Sequence, residues 1–286
     1  MIDFYQSVLI NAFERKENLV HYEPIQGGCV NQAVRLSTDK GNYFLKWNNT
    51  QVDMFEKESL GLKYLSNFGK INIPQVFQSG ELHSKGFLLM EYIAPGKMDK
   101  IFWEQLGNGL AELHKVTNDQ FGLDHDNYIG RLHQENTFHT DWINFFINCR
   151  LTPQIKQARN EGLISADTVM KFDALYLQLN NLIPSEKPAL LHGDLWSGNI
   201  HSDQNKRPYL IDPAVYYGHR EAEMAFTQLF GGFDELFYSS YENTYPMIPG
   251  FDSRVDLFNL YPLLVHLNLF GSSYLSSIVN ILNRFV

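Results

Sequence analysis

Two cysteines in 286 residues, Cys29 and Cys149, leave no material for a disulfide framework, which excludes a small disulfide-stapled fold. Basic side chains are also in short supply. Lys and Arg number 23 against 32 Asp and Glu, a formal net charge of −9, and no basic run occurs. Such a chain is poorly matched to a nucleic-acid backbone or an acidic membrane surface, so neither is expected as a partner. Long hydrophobic runs are missing too. The apolar stretch from Leu257 to Val286 is interrupted by His266, Asn268, Ser272, Ser273, Asn280 and Asn283, the mark of core helices and not of a membrane span. The opening residues, MIDFYQSVLINAFERK, show neither a basic start nor an unbroken apolar stretch, so an export leader is not expected and a cytoplasmic enzyme is.

What is present is ordinary packing material. Apolar residues make up 44% of the chain and charged residues 19%, enough apolar surface to offset the entropy of ordering. At roughly 150 residues per domain the length suggests two units. Phe4, Tyr5, Val8, Leu9, Ala12 and Phe13 recur at helical spacing. From about His21 short alternating stretches take over: HYEPIQGG, CVNQAVRLST and, after the turn residues Asp39 to Asn42, YFLKWN. A helix is expected over Asp53 to Phe68, then strands in VFQSGEL and GFLLMEYI, before Ala94-Pro95-Gly96 breaks the pattern. Beyond it the chain reads as helical over Ile101–Val116, Trp142–Gln157, Ser165–Leu182 and the C-terminal part, with two short strands, ALLHGD and PYLID. The expectation is a small sheet-rich lobe, a Pro-Gly connection and a larger helical lobe holding two short strands.

The most informative segment is LLHGDLWSGNI, Leu190 to Ile200. Asp194 and Asn199 stand five residues apart, and Asp212 closes the strand PYLID 13 residues later. Phosphoryl transfer of the kinase type needs this set: an Asp to orient and deprotonate a hydroxyl, an Asn whose amide oxygen reaches magnesium, and a second Asp to hold the metal on the nucleotide's phosphates. Singly, each would be a turn residue; together, before an apolar strand ending in Asp, they identify Asp194 as catalytic and Asn199 and Asp212 as metal ligands. His192 is read as a brace for the loop, since Asp194 already fits the base role.

The upstream half supplies a matching cation. Lys46 is the single basic residue of YFLKWN, and Glu58 follows 12 residues later on the next helix, where it can aim the ammonium at phosphates. Glu56 lies on the same helix but points about 200° around its axis from Glu58, which makes Glu58 the choice. Gly27-Gly28 forms a short glycine loop whose amides could approach a nucleotide, although it does not match GxGxxG. Zinc and serine-hydrolase chemistry are not indicated. His114, His125, His133, His139 and His201 form no HExxH pair, neither cysteine has a second at ligand spacing, and no GxSxG occurs.

HGDLWSGN at His192–Asn199, GGCVN at Gly27–Asn31 and DPAVYYGHREAEMA at Asp212–Ala225 resemble the fructosamine/ketosamine-3-kinases, within the wider group of aminoglycoside- and choline-kinase-like phosphotransferases. The resemblance extends through MFEKESLGLKYL, FGLDHDNYIG and the WINFF…RLTPQ run. It implies an α+β, two-lobed protein-kinase-like fold: a nucleotide-binding lobe over residues 1–93 with a hinge at about 90–96, and a catalytic and substrate lobe over 97–286. It further implies ATP- and magnesium-dependent phosphorylation of the sugar 3-hydroxyl of ketosamines, free or protein-bound, by a monomer or homodimer. The 3-phosphate product is unstable and releases the amine, a deglycation. By position, Gly27, Gly28, Lys46, Glu58 and the hinge residues Met90, Glu91, Tyr92 and Ile93 would bind ATP. Trp196, His219 and Glu221 would face the sugar. Glu223 stands where many relatives have Asp, with a structural role expected to survive the change. Cys29 is a candidate redox switch.

Two other readings compete. A phosphotransferase for another small hydroxyl compound, such as an aminoglycoside, a choline-like alcohol or a sugar, would use the same machinery. A nucleotide-binding pseudokinase would be expected to have lost Lys46, Asp194 or Asp212, and all three are present.

Overall fold

The structure, a computed structural model, describes residues 1–13, 17–25 and 31–286. Helix α1 (Ile2–Ala12) opens the chain, followed by strands β1 (Leu19–Pro24), β2 (Gln32–Thr38) and β3 (Asn42–Asn48), helix α2 (Val52–Ser66), and strands β4 (Val76–Leu82) and β5 (Lys85–Glu91). The strands pair antiparallel in the order β1-β2-β3-β5-β4. At the β2–β3 turn the Thr38 hydroxyl accepts the backbone N–H groups of Lys40 and Gly41, so the turn satisfies its own donors.

Period-two alternation sorts the sheet residues between two cores. On one face Val34, Leu36, Tyr43, Leu45, Phe87 and Leu89 bury against Phe4, Tyr5, Val8 and Leu9 of α1. On the other, Leu88 and Met90 join Phe55 and Leu62 of α2, with Phe44 packed beside them. Helices cover both faces, which is why GFLLME reads as a continuous apolar run and not an alternating one. Lys46 has the parity of Phe44, so its side chain leaves β3 on the face that carries α2.

The chain continues through α3 (Lys100–His114), the hairpin β6 (Asn127–Ile129) and β7 (Leu132–Gln134), α4 (Trp142–Phe145), a π-helical turn (Phe146–Leu151) and α5 (Thr152–Asn160). Next come α6 (Ala166–Tyr176), α7 (Leu179–Leu182), and the short strands β8 (Ala189–Leu191), β9 (Ile200–Ser202), β10 (Pro208–Leu210) and β11 (Tyr216–Gly218). The helices α8 (Arg220–Leu229), α9 (Glu235–Thr244), α10 (Phe251–Phe258), α11 (Leu260–Phe270) and α12 (Leu275–Phe285) complete the chain. No helix of the described residues is long and apolar enough to cross a membrane.

Two compact units result: Met1–Phe102 with Ile200–Pro213, and Trp103–Asn199 with Ala214–Val286. The expected two-strand complement of the helical part is revised by this. PYLID, the strand β10, pairs with β9 inside the first unit. In the second unit ALL, the strand β8, pairs with the unpredicted β11. Strands of three residues are too short to show a period. The helix expected over Trp142–Gln157 forms but passes through the π turn. Pro153 has no N–H to give the Cys149 carbonyl four residues back, and Arg150 Nη1 donates to that oxygen at 3.0 Å. The run over Ser165–Leu182 breaks between α6 and α7.

Candidate active site

In the first unit Lys46 Nζ donates to Glu58 Oε1 at 2.9 Å and pairs with the Asp212 carboxylate. Glu58 shares the inward stripe of α2 with Phe55 and Leu62, at helical spacing, whereas Glu56 is exposed. Burial acts to depress the Lys46 ammonium, but the carboxylates of Asp212 and Glu58 outweigh it and raise its pKa, so the cation is secure. Burial pushes the Glu58 carboxyl upward; Lys46 opposes the rise and Asp212 adds to it. Asp212 is 39% exposed and sits at φ 56, a left-handed conformation that Asp tolerates better than most residues and that recurs where function dictates geometry.

The expected hinge belongs to this unit. Glu91 donates its N–H to the Gln75 carbonyl, and the Ile93 carbonyl faces His201 Nε2 at 3.1 Å. The Gly96 N–H donates to the Ser202 carbonyl at 2.8 Å, and a Cβ on Gly96 would stand 1.8 Å from the Asp203 carbonyl oxygen. Only glycine permits that approach. Met90 is buried in the sheet core, and Tyr92 carries the Arg35 guanidinium over its ring at 4.9 Å. Gly27, Gly28 and Cys29 lie outside the described residues.

In the second unit the loop after β8 carries Asp194, and a 3-10 turn over Ser197–Asn199 brings Asn199 back to it. Asn199 Nδ2 donates to the Asp194 carbonyl at 2.7 Å and to Asp194 Oδ2 at 2.9 Å. This fixes the carboxylate and the orientation of the Asn199 amide, since reversing it would set oxygen against oxygen. The amide oxygen is thereby turned away from Asp194.

The loop is anchored from below by Glu223, fully buried in the first turn of α8. Its carboxylate accepts the backbone N–H of Gly193 at 2.6 Å and of His192 at 3.1 Å, and meets His114 Nε2 at 2.9 Å. Burial acts to raise the Glu223 carboxyl; its bond to His114, the nearby His192 and the Gly193 amide outweigh that and hold it below the usual carboxylate range. His192 is itself buried, its Nδ1 accepting the Asp194 N–H at 3.3 Å. A narrow cavity of about 30 Å³, room for little more than a water, adjoins Asp194 among Gly193, Tyr216, Glu223, Phe226, Tyr261 and His266.

Magnesium takes hard oxygen ligands, keeps several waters and needs few from the protein. Asn199 in the second unit and Asp212 in the first, the two expected metal ligands, each carry an oxygen of that kind, and the orientation forced on the Asn199 amide leaves its oxygen pointing away from Asp194. Among the described residues no group of three or more His, Cys, Asp or Glu assembles a self-contained metal site.

Two residues expected at the sugar are placed elsewhere. His219 is fully buried: its Nε2 faces the Pro184 carbonyl at 3.0 Å and its Nδ1 caps α8 by accepting the Glu221 N–H. Burial drives its pKa down, which suits a neutral capping ring. Glu221 is fully buried in a two-point pair with Arg254, at 2.5 and 2.7 Å. Both side chains serve the start of α8 and present nothing to a ligand. Trp196 is 37% exposed and lies over Gly198, where a Cβ would come within 2.3 Å of the indole. Sequence reasoning missed His114, Arg254 and Tyr261. The available signal for Arg254 was only that a buried cation is tolerated when an acid faces it.

An antiparallel sheet carrying a buried Lys–Glu pair and a helical unit carrying Asp and Asn on one tight loop are parts that a phosphotransferase of kinase-like fold requires. The model of the fructosamine kinase family matches residues 1–286, and the chain belongs to that family. An Enterococcus faecium protein named "Probable ketoamine kinase" is 42% identical over 92% of this chain and 94% of its own length. The chloroplastic protein-ribulosamine 3-kinase of Arabidopsis thaliana is 40% identical over 92% of this chain and 81% of its own. Among solved structures, one from Haemophilus somnus described as "Putative fructosamine-3-kinase" superposes with a TM-score of 0.89 at 28% identity, covering 99% of this chain and 96% of that one. A thermostable mutant of the aminoglycoside phosphotransferase APH(4)-Ia, solved with AMP-PNP and hygromycin B, superposes with a TM-score of 0.66 at 17% identity over 98% of this chain and 97% of that one, a likeness of fold alone.

Proposed function

We propose that this kinase transfers the γ-phosphoryl group of ATP to the sugar 3-hydroxyl of a ketosamine, free or on a glycated side chain, with magnesium and in the cytoplasm. Asp194 accepts the hydroxyl proton as the oxygen attacks. Lys46, aimed by Glu58, binds phosphate oxygens, and the hinge Met90–Ile93 receives the adenine. Asn199 and Asp212 would hold the metal, which would supply charge neutralisation at the phosphates. Trp196 offers an aromatic face to the sugar. The 3-phosphorylated product then sheds its amine, so the net result is deglycation.

The single observation supporting this reading is the pair of bonds from Asn199 to Asp194, which would orient the proposed base and leave the amide oxygen free for the proposed metal. The family and its ketoamine- and ribulosamine-kinase relatives support the acceptor class. The test is ATP consumption with magnesium against a fructosyl-amine, a ribulosyl-amine, an aminoglycoside and choline. Turnover confined to the ketosamines, followed by release of free amine, is expected. Turnover only on the aminoglycoside or choline would overturn the substrate and keep the machinery.

A further inference from the structure

The segments FGLDHDNYIG and WINFF…RLTPQ stand out in the sequence yet carry none of the chemistry assigned above. Both feed one buried hydrogen-bonded ladder in the second unit. Asn127 Nδ2 donates to the Val215 carbonyl at 2.8 Å, while its Oδ1 accepts from Gln134 Nε2 at 2.7 Å and Asn136 Nδ2 at 3.1 Å. Gln134 Nε2 also donates to the Ala214 carbonyl at 3.1 Å, and its Oε1 accepts the Tyr261 hydroxyl at 2.7 Å. Arg150, fully buried, donates from Nη2 to Asn136 Oδ1 at 2.7 Å and from Nη1 to the Glu135 carbonyl at 2.6 Å. Its guanidinium lies 3.9 Å over the Tyr216 ring.

Three amides and a guanidinium in the interior are a costly way to fill space, because every polar atom must be matched. Apolar side chains of similar volume would fill it as well or better. What they could not do is grip backbone carbonyls. The gripped strand lies against the catalytic loop. The Ala214 N–H donates to the His192 carbonyl at 2.9 Å. A Cβ on Gly193, which stands at φ 85, would meet the Ala214 carbonyl oxygen at 2.0 Å and the Tyr216 ring at 3.3 Å. The Ala214 carbonyl that Gln134 holds is thus wedged against the residue immediately before Asp194.

We propose that Asn127, Gln134, Asn136 and Arg150 are positioning residues that set the location of Asp194 by fixing Ala214–Tyr216 against His192–Gly193. This rests on the reading of Asp194 as the base. Misplacing a reacting group by about 1 Å costs up to about 100-fold in rate, so displacing the wedge acts on turnover.

The test uses the full chain with Gln134→Glu, which keeps shape but loses both donors, Asn127→Ala, and the milder Tyr261→Phe. For Gln134→Glu and Asn127→Ala, kcat falls about 10- to 100-fold with KM for ATP and ketosamine within about twofold; Tyr261→Phe shows a smaller loss of the same kind. Amide hydrogen exchange speeds up across residues 190–199 and 214–218, and the rest of the second unit exchanges as in the wild type. Wild-type kcat and loop exchange in folded variants overturn the proposal, as does acceleration spread evenly over the second unit, which marks a merely structural role. If Asn127→Ala does not fold, Gln134→Glu and Tyr261→Phe decide. A wild type that phosphorylates no ketosamine overturns the functional reading instead, and the exchange comparison still judges the clamp.

Discussion

Lys46 in the first unit is held by charge, buried between Glu58 and Asp212, whereas Asp194 in the second is held by an amide and by a loop whose backbone N–H groups end on Glu223. The first arrangement is a buried ammonium whose charge is favoured by two carboxylates, while Asp212 adds to the upward push that burial exerts on the Glu58 carboxyl. The second is mostly hydrogen bonds to main chain, indifferent to charge except at Glu223. Long, mobile Lys gains its precision from two carboxylates, while Asp, with one carbon between backbone and carboxyl, gains it from the backbone itself. Damage to the first unit should therefore register in nucleotide handling and stability, and damage to the second in the rate of the chemical step.

The largest effect separates them most cleanly. Asp194→Asn keeps the shape of the loop and the fold, and lowers turnover about 10²- to 10⁴-fold while nucleotide binding is retained. Turnover within about tenfold of wild type would remove Asp194 from the base role. Lys46→Met comes next and should look different. It leaves the buried Glu58 beside Asp212 without a counter-charge, and breaking such a pair costs about 3–5 kcal/mol, so thermal unfolding shifts down and affinity for ATP, read by calorimetry, falls. An unchanged melting temperature would show that the ammonium is not the partner that makes Glu58 tolerable there. Glu223→Gln tests the anchor under the loop. One acceptor oxygen is lost where two backbone donors and His114 converge, so about 1–3 kcal/mol of stability and a matching fraction of kcat should go, with ATP affinity kept.

The contrast also explains what the sequence disclosed. The Lys46–Glu58 pair and the closeness of Asp194 and Asn199 were legible because kinase-type chemistry demands particular residue types at fixed spacing, and strand parity and helix angle restrict where they point. The alternating strands of the first unit were legible for the same reason of period. His219 and Glu221 were misread because a polar residue beside a catalytic segment looks alike whether it faces a ligand or caps a helix. The difference is burial, and burial depends on Arg254 and the Pro184 carbonyl, more than 30 residues away on either side. Three-residue strands such as β11 carry no periodic signal, and the role of Gln134 is set by a bond to a carbonyl 80 residues on, which no local pattern encodes.

The smallest expected effect probes the acceptor side of the loop alone. Gly198→Ala introduces a Cβ within 2.3 Å of the Trp196 indole, closer than any real contact, so the ring must swing out. The backbone of Gly198 is not in the left-handed region, and the obstacle is one exposed side chain, so stability should change by less than about 0.5 kcal/mol. The Asn199 bonds to Asp194 are formed by the next residue and persist. If Trp196 packs on the sugar, KM for the ketosamine rises severalfold while KM for ATP and kcat at saturation hold near wild type. An unchanged KM would detach Trp196 from substrate recognition.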